Sequence, residues 1–354
     1  MTVIDTVAAP TEVPRTRTLG WAIARRLLVS LLVLWGAITA TFIVIHAGSG
    51  SAVNSIVGTA QVSPEVRAQI ISDYKLDDPI VVQYFNYLGR LLHGDLGQSY
   101  ALRMPVTEAI GQQIWPTLQL VIVAAILALV VALVVGLATA NRPGWLRGPV
   151  TSFEVLMVAV PTFWLGILLL TIFSFELGWF PSVGSAGVSS LVLPAIALAA
   201  APAALLSQVL RHGIERTLDE PFVVTVRSRG VGETVLLLRH VLQHAAMPVI
   251  TLWGWIVGAL ISGAVVIEQV FSREGLGRLT IAAVTSKDLP LVLGVVIIAA
   301  TFYTVVNTLI DAAYGWLDPR LRTTRYSGAA AAPDESRTDE SRTEESRTEE
   351  KVTG

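Results

Sequence analysis

Cysteine is absent from all 354 residues, which excludes disulfide scaffolds, Cys-ligated zinc and thiol catalysis. Charge is scarce as well. Asp, Glu, Lys and Arg make up 15% of the chain against 53% apolar residues, and the mean hydropathy is +0.63. A soluble domain has no way to hide that much apolar surface, so the class is integral membrane. The phosphate-binding pattern G-x-x-x-x-G-K-[ST] is missing, and GVGETV (Gly230–Val235) lacks the third glycine and the strand context of a dinucleotide site. The chain cannot hydrolyse ATP by that route. No nucleophile–base–acid constellation and no metalloprotease motif occurs, so the sequence does not read as an enzyme. A basic surplus is also wanting. The net charge is −2, and the tail from Pro333 holds eight acidic and four basic residues, leaving +2 for the rest. Neither value is a nucleic-acid footprint.

What the chain has is long apolar runs. Six approach or exceed the ~20 residues that cross a bilayer as a helix: Leu27–Ile45, Ile114–Ala138, Phe153–Phe175, Leu191–Leu210, Val249–Ile267 and Leu291–Ala313. They are too long and uninterrupted for barrel strands, and the first exceeds a signal-peptide core, so it reads as a retained span. Basic residues gather at alternate connections: Arg25 and Arg26, then Arg142 and Arg147, then Arg211 to Arg239, then Arg320, Arg322 and Arg325. Both termini are therefore expected on the cytoplasmic side. The expected divisions are a cytoplasmic segment 1–24, a first span 25–46, an outward-facing segment 47–113, a membrane core 114–325 and an acidic tail 326–354. The tail repeats DESRT, DESRT, EESRT over Asp334–Thr348, has no apolar residue to bury and is expected to be disordered.

Ionisable residues in the runs are few. Glu154, Glu268 and Asp311 fall near span ends, where a snorkelling or structural role is expected rather than a proton relay. Gly254, Gly258 and Ser262 recur every four residues and mark a face of the fifth span that admits a close neighbour, such as a partner subunit. His240 and His244 stand four apart on an expected helix, but a third zinc ligand is lacking nearby, so no metal site is expected.

The most punctuated stretch is the loop 212–247. Asp219, Glu220 and Pro221 are start signals for a short helix. Ile214, Leu218, Phe222 and Val226 are spaced as one apolar stripe. Arg227 and Arg229 suit its last turn, and Gly230 suits the left-handed position that follows. A second helix is expected after Gly232, with Glu233 in its first turn, ending at Pro248.

In this loop TVRSRG (Thr225–Gly230), the pair Arg239–His240 and AAMP (Ala245–Pro248) resemble the permease subunits of dipeptide/oligopeptide/nickel-type ATP-binding-cassette importers. YKLDDP (Tyr74–Pro79), HGDLGQS (His93–Ser99), MPV (Met104–Val106) and PTLQL (Pro116–Leu120) are similar to the same family. So are VPTFWLG (Val160–Gly166), LGWFP (Leu177–Pro181), LVLPA (Leu191–Ala195), SGAVVIEQVFSREGLGRL (Ser262–Leu279) and YGWLDPRLR (Tyr314–Arg322). The chain departs from the family at Pro221, Val224, His244, Glu274 and Ala47–Gly50. The resemblance implies an all-α, six-helix type I importer permease in a bacterial plasma membrane, with an external domain between the first two helices. It implies coupling helices in the fourth connection, with Phe222, Arg227, Arg229, Gly230, Glu233, Arg239 and His240 as the surface that meets an ATPase. It also implies a second permease, two ATPase subunits binding ATP and magnesium, and an external substrate-binding protein. The substrate implied is a di- or oligopeptide, with nickel or glutathione as alternatives in the same family. A self-contained ion-driven carrier is the rival of another class.

Overall fold

The computed structural model describes residues 28–29, 31–43, 64, 71, 78–185 and 187–317. The N-terminal basic residues, residues 47–63, 65–70 and 72–77 of the segment expected to face outward, the acidic repeats and the Asp311 side chain lie outside this description. The chain divides into two compact units, Met1–Asn307 and Thr308–Gly354. Of the second, residues 308–317 are helical.

Among the described residues all regular structure is helical, apart from one isolated bridge between Gln98 and Pro105. The helices are α1 (Leu31–Ile43), α2 (Ile80–Leu92), α3 (Val106–Thr139) and α4 (Gly144–Ala159). α5 (Thr162–Leu169) passes into a π-helical turn, Leu170–Glu176. Then come α6 (Ser189–Leu218), α7 (Pro221–Ser228), α8 (Glu233–Val270), α9 (Leu276–Thr285) and α10 (Leu289–Leu317). Helices α3, α6 and α8 are each long and apolar enough to cross a membrane, and the bent pair α4–α5 does so only when taken as one span.

Three expectations need correction. The second span begins at Val106, not Ile114, because the polar turn around Glu108 and Gln112 simply prolongs the helix outward. The third is not one rod: α4 and α5 meet at 105° across Val160–Pro161. The fifth starts at Glu233 and runs through Pro248, with a π-helical stretch over Leu236–Val241, so the expected separate second helix is the first part of the span itself. Prolines survive inside membrane helices where neighbours and local π adjustments absorb the lost bond.

The main core is built from small residues that let backbones approach. Ala124, Ala125, Ala128 and Ala132 of α3 are buried with Ala195, Ala199 and Ala203 of α6 and Gly258 and Ala264 of α8. A Cβ at Gly136 would lie 2.8 Å from Leu210, and one at Gly213 would lie 3.1 Å from the Ala245 carbonyl. The Trp253 indole donates to the Ala125 carbonyl at 2.9 Å, tying α8 to α3. A second apolar cluster joins Ile38 and Phe42 of α1, Tyr87 of α2, Val106 and Ile110 of α3, and Leu291 of α10.

Three buried polar knots cross-link these helices. At the Thr139 end of the bundle, Arg211 pairs with Glu154 and donates to Thr139 (2.8 Å) and Thr151 (2.9 Å), while Ser207 donates to the same Glu154 oxygen at 2.6 Å. At the opposite end, Glu268 accepts from the Thr117 hydroxyl (2.5 Å) and from the Gly277 and Arg278 amides (2.8 and 3.3 Å), capping α9. A side chain at Gly275 or Gly277 would overlap this carboxylate, which explains the glycine pair in EGLG. Glu154 and Glu268 are thus structural and do not snorkel; both are almost wholly buried.

The third knot is Asp288, which accepts from Ser99 (2.5 Å), the Ala101 amide (3.0 Å) and the Leu291 amide (3.3 Å). It caps α10 and holds the loop before α3. Asp288→Ala leaves these buried donors unpaired and is expected to cost about 1–3 kcal/mol. Thermal unfolding in detergent checks this, and Asp288→Asn, which keeps an acceptor oxygen, is expected to lose less.

Candidate functional site

The segment between α6 and α8 forms a compact elbow at the Thr139 end. α6 stops at Leu218, and Glu220 is extended (φ −72°, ψ 142°), as the residue before a proline prefers. Pro221 then opens α7 at its first position, where a missing N–H costs nothing. Arg229 caps α7, and Gly230 takes φ +76°, its amide donating to the Arg227 carbonyl at 2.9 Å. Gly232 is extended again, and α8 begins at Glu233. Each of these local signals acts over a few residues, which is why the chain folds here as its sequence suggests.

The expected apolar stripe is only partly realised. Ile214 is buried and Leu218 packs on the core in α6, but the break at Asp219–Glu220 rotates α7, so Val223, fully buried, becomes its anchor. Phe222 and Val226 flank it as partly buried neighbours, and Leu236 and Val241 bury the start of α8. The Phe222 ring lies 5.3 Å from that of His244. His244 is therefore a packing partner here.

Arg227 and Glu233 span the elbow. Nε of Arg227 donates to Oε1 at 2.8 Å and Nη2 to Oε2 at 3.3 Å, a two-pronged pair across Gly230. The hydrogen bond to Glu233 holds the Arg227 guanidinium above its usual range, against a smaller opposing effect of desolvation. The pair is exposed, so its worth lies in orientation more than stability.

Of the residues singled out from sequence, Arg227, Gly230 and Glu233 come together. Arg229 and Arg239 are exposed nearby, His240 is half-buried in the π-helical stretch, and Phe222 faces inward. Val224, marked from sequence only as a departure from the family, and Val235 and Leu238, which sequence reading missed, are 69%, 51% and 52% exposed. The signal of the last two was apolar residues off the stripe in a polar loop. Gly254 and Gly258 are buried within this chain while Ser262 is exposed, so the three do not form one outward face.

Residues 132–323 match the family model described as binding-protein-dependent transport system inner membrane component. A putative peptide transport system permease protein of Brucella abortus is 37% identical over 269 residues, covering 73% of this chain and 86% of its own length. The oligopeptide transport system permease protein AppB of Bacillus subtilis is 33% identical over 311 residues, covering 84% and 98%. The glutathione transport system permease protein GsiC of Salmonella choleraesuis is 33% identical over 305 residues, covering 85% and 98%.

Proposed function

Because the chain belongs to the family of binding-protein-dependent transport system inner membrane components, we propose that it forms half of the translocation pathway of an ATP-binding-cassette importer for di- or oligopeptides. It is an all-helical, multi-pass subunit of the inner membrane with no catalysis and no cofactor of its own. ATP and magnesium belong to partner ATPase subunits. A second permease completes the pathway, and an external substrate-binding protein delivers the peptide to the segment 47–113. With both termini cytoplasmic, the elbow 212–247 faces the ATPases.

The observation that carries this reading is the elbow. Val223, Leu236 and Val241 fix it to the bundle, while Arg227, Glu233 and Gly230 set its angle. A force applied to Val224, Arg229, Val235, Leu238 or Arg239 therefore reaches α6 and α8 together. ATPase closure would swing those spans and alternate the access of the pathway. The glutathione relative, at the same 33% identity as the oligopeptide one, favours glutathione as a second reading. Glutathione is itself a tripeptide, so the same amide chemistry serves both.

Purification of the tagged chain from its own membranes in mild detergent tests the assembly. Recovery with two ATPase subunits and a second permease is the expected result. The captured binding protein is then assayed against dipeptides, longer peptides and glutathione. A lone, stable protein that transports after reconstitution without ATP would overturn the reading and restore the ion-driven carrier.

A further inference from the structure

The junction of α4 and α5 breaks a backbone in the middle of an apolar segment. Val160 (φ −75°, ψ 127°) and Pro161 (φ −60°, ψ 131°) are both extended. The Val160 amide still reaches the Leu156 carbonyl, and the Leu165 amide reaches that of Pro161. Left over are the carbonyls of Met157, Val158, Ala159 and Val160 and the amides of Thr162, Phe163 and Trp164. None has a hydrogen-bond partner among the described residues.

The depth of this break follows from its anchors. Glu154 is tied to Arg211, which also binds Thr139 at one end of the bundle. Gly166 packs against Ile267 and Phe271 at the other, its Cβ position 3.4 and 3.3 Å from them. Val160–Pro161 lies between these two anchors, away from both ends. It also faces outward from the chain's own core, since Ala159 and Pro161 are exposed and Phe163 and Trp164 are about half exposed.

Seven unpaired backbone groups cannot face hydrocarbon at that depth. Non-helical backbone is tolerated inside a membrane only when it is buried in protein or lines a water-filled space. We propose that the Val160–Pro161 break lines the aqueous pathway and presents its free carbonyls and amides to the peptide in transit. This rests on the reading of the chain as a peptide permease. The break carries acceptors and donors but no charge, and a peptide main chain offers their complements in every residue. Such a surface reads the amide backbone and ignores side chains, which suits a pathway serving peptides of varied sequence.

The natural lack of cysteine makes the test direct. Ala159→Cys and Thr162→Cys are each made singly in the full transporter, in membranes opened to both sides, and treated with a charged, membrane-impermeant methanethiosulfonate. Val188→Cys, in a loop and 79% exposed, is the control expected to meet water, and Val134→Cys, within the apolar run of α3 and 62% exposed, the control expected to meet lipid. Because only the thiolate reacts and hydrocarbon suppresses ionisation, the break thiols are expected to react at least about tenfold faster than Val134→Cys. Transported peptide is expected to slow that reaction, and modification to abolish uptake. Break thiols as silent as Val134→Cys, while Val188→Cys reacts, would overturn the proposal and place the break against lipid or the second permease. Two positions are used so that one poorly inserted variant does not decide the matter. Peptide uptake by the unmodified chain is measured separately. Reactive break thiols without ATP-driven peptide uptake would uphold the aqueous lining and sink the peptide reading instead.

Discussion

Arg211→Met is expected to destabilise the protein by about 3–5 kcal/mol, the cost of stranding one member of a buried ion pair. The pair has unusually little access to water: Arg211 and Glu154 are 1% and 3% exposed. Removal of the guanidinium leaves the Glu154 carboxylate with only the Ser207 hydroxyl, since its second oxygen already lacks a partner. It also removes the donor to the hydroxyls of Thr139, at the end of α3, and Thr151, midway along α4. The double variant Arg211→Met/Glu154→Leu removes both charges and is expected to recover most of the loss, because a packed apolar pair often equals a buried ionic one. Thermal or denaturant unfolding in detergent of both single variants and the double closes the cycle. A loss of under about 1 kcal/mol for Arg211→Met would mean that water reaches the pair, as at a surface.

The second large effect is functional and falls on Gly230. Its φ of +76° is the left-handed region, and a Cβ there would meet nothing within 4 Å. Substitution therefore strains the backbone without a clash. For a side chain other than glycine the left-handed conformation costs about 1–2 kcal/mol, with asparagine among the residues that bear it best. That is roughly a 5- to 30-fold bias against the elbow. Gly230→Val is expected to leave the subunit inserted and the ATPases active while ATP-driven peptide uptake falls by that order. Gly230→Asn is expected to retain most of the uptake. The measurement is ATP hydrolysed per peptide moved, in reconstituted vesicles. Equal coupling ratios for Val, Asn and wild type would remove the elbow from the lever.

These two sites differ in how far the sequence alone reveals them. The elbow was legible because each of its signals is local: Pro221 starts a helix, Gly230 ends one, and Arg227 and Glu233 are six residues apart. The ion pair was half legible. Glu154 stood out as a carboxylate in an apolar run, but Arg211 read as one more cation of a cytoplasmic connection, because its partner lies 57 residues away. Glu268 stood out in the same way, but its Thr117 partner lies 151 residues off; Asp288 went unnoticed, with Ser99 and Ala101 189 and 187 residues away.

The broken span shows the limit most sharply. Pro116, Pro149, Pro194, Pro202 and Pro248 all sit inside helices, whereas Pro161 ends one. Hydropathy treats the surrounding run as a single span because it measures composition and not direction. Direction is set by the anchors, Glu154 at one end of the bundle and Gly166 at the other, which hold the two halves on different neighbours.

By itself the sequence determined the solvent, the helical class and the local turns of the elbow. Those depend on transfer of apolar side chains into lipid and on backbone preferences within a turn or two. Only the tertiary structure decided which carboxylates are buried and paired, which proline breaks its helix, and where unpaired backbone is laid open. Those depend on residues far apart in the chain meeting where water is excluded, so that every unpaired polar group must find a partner or a path to water.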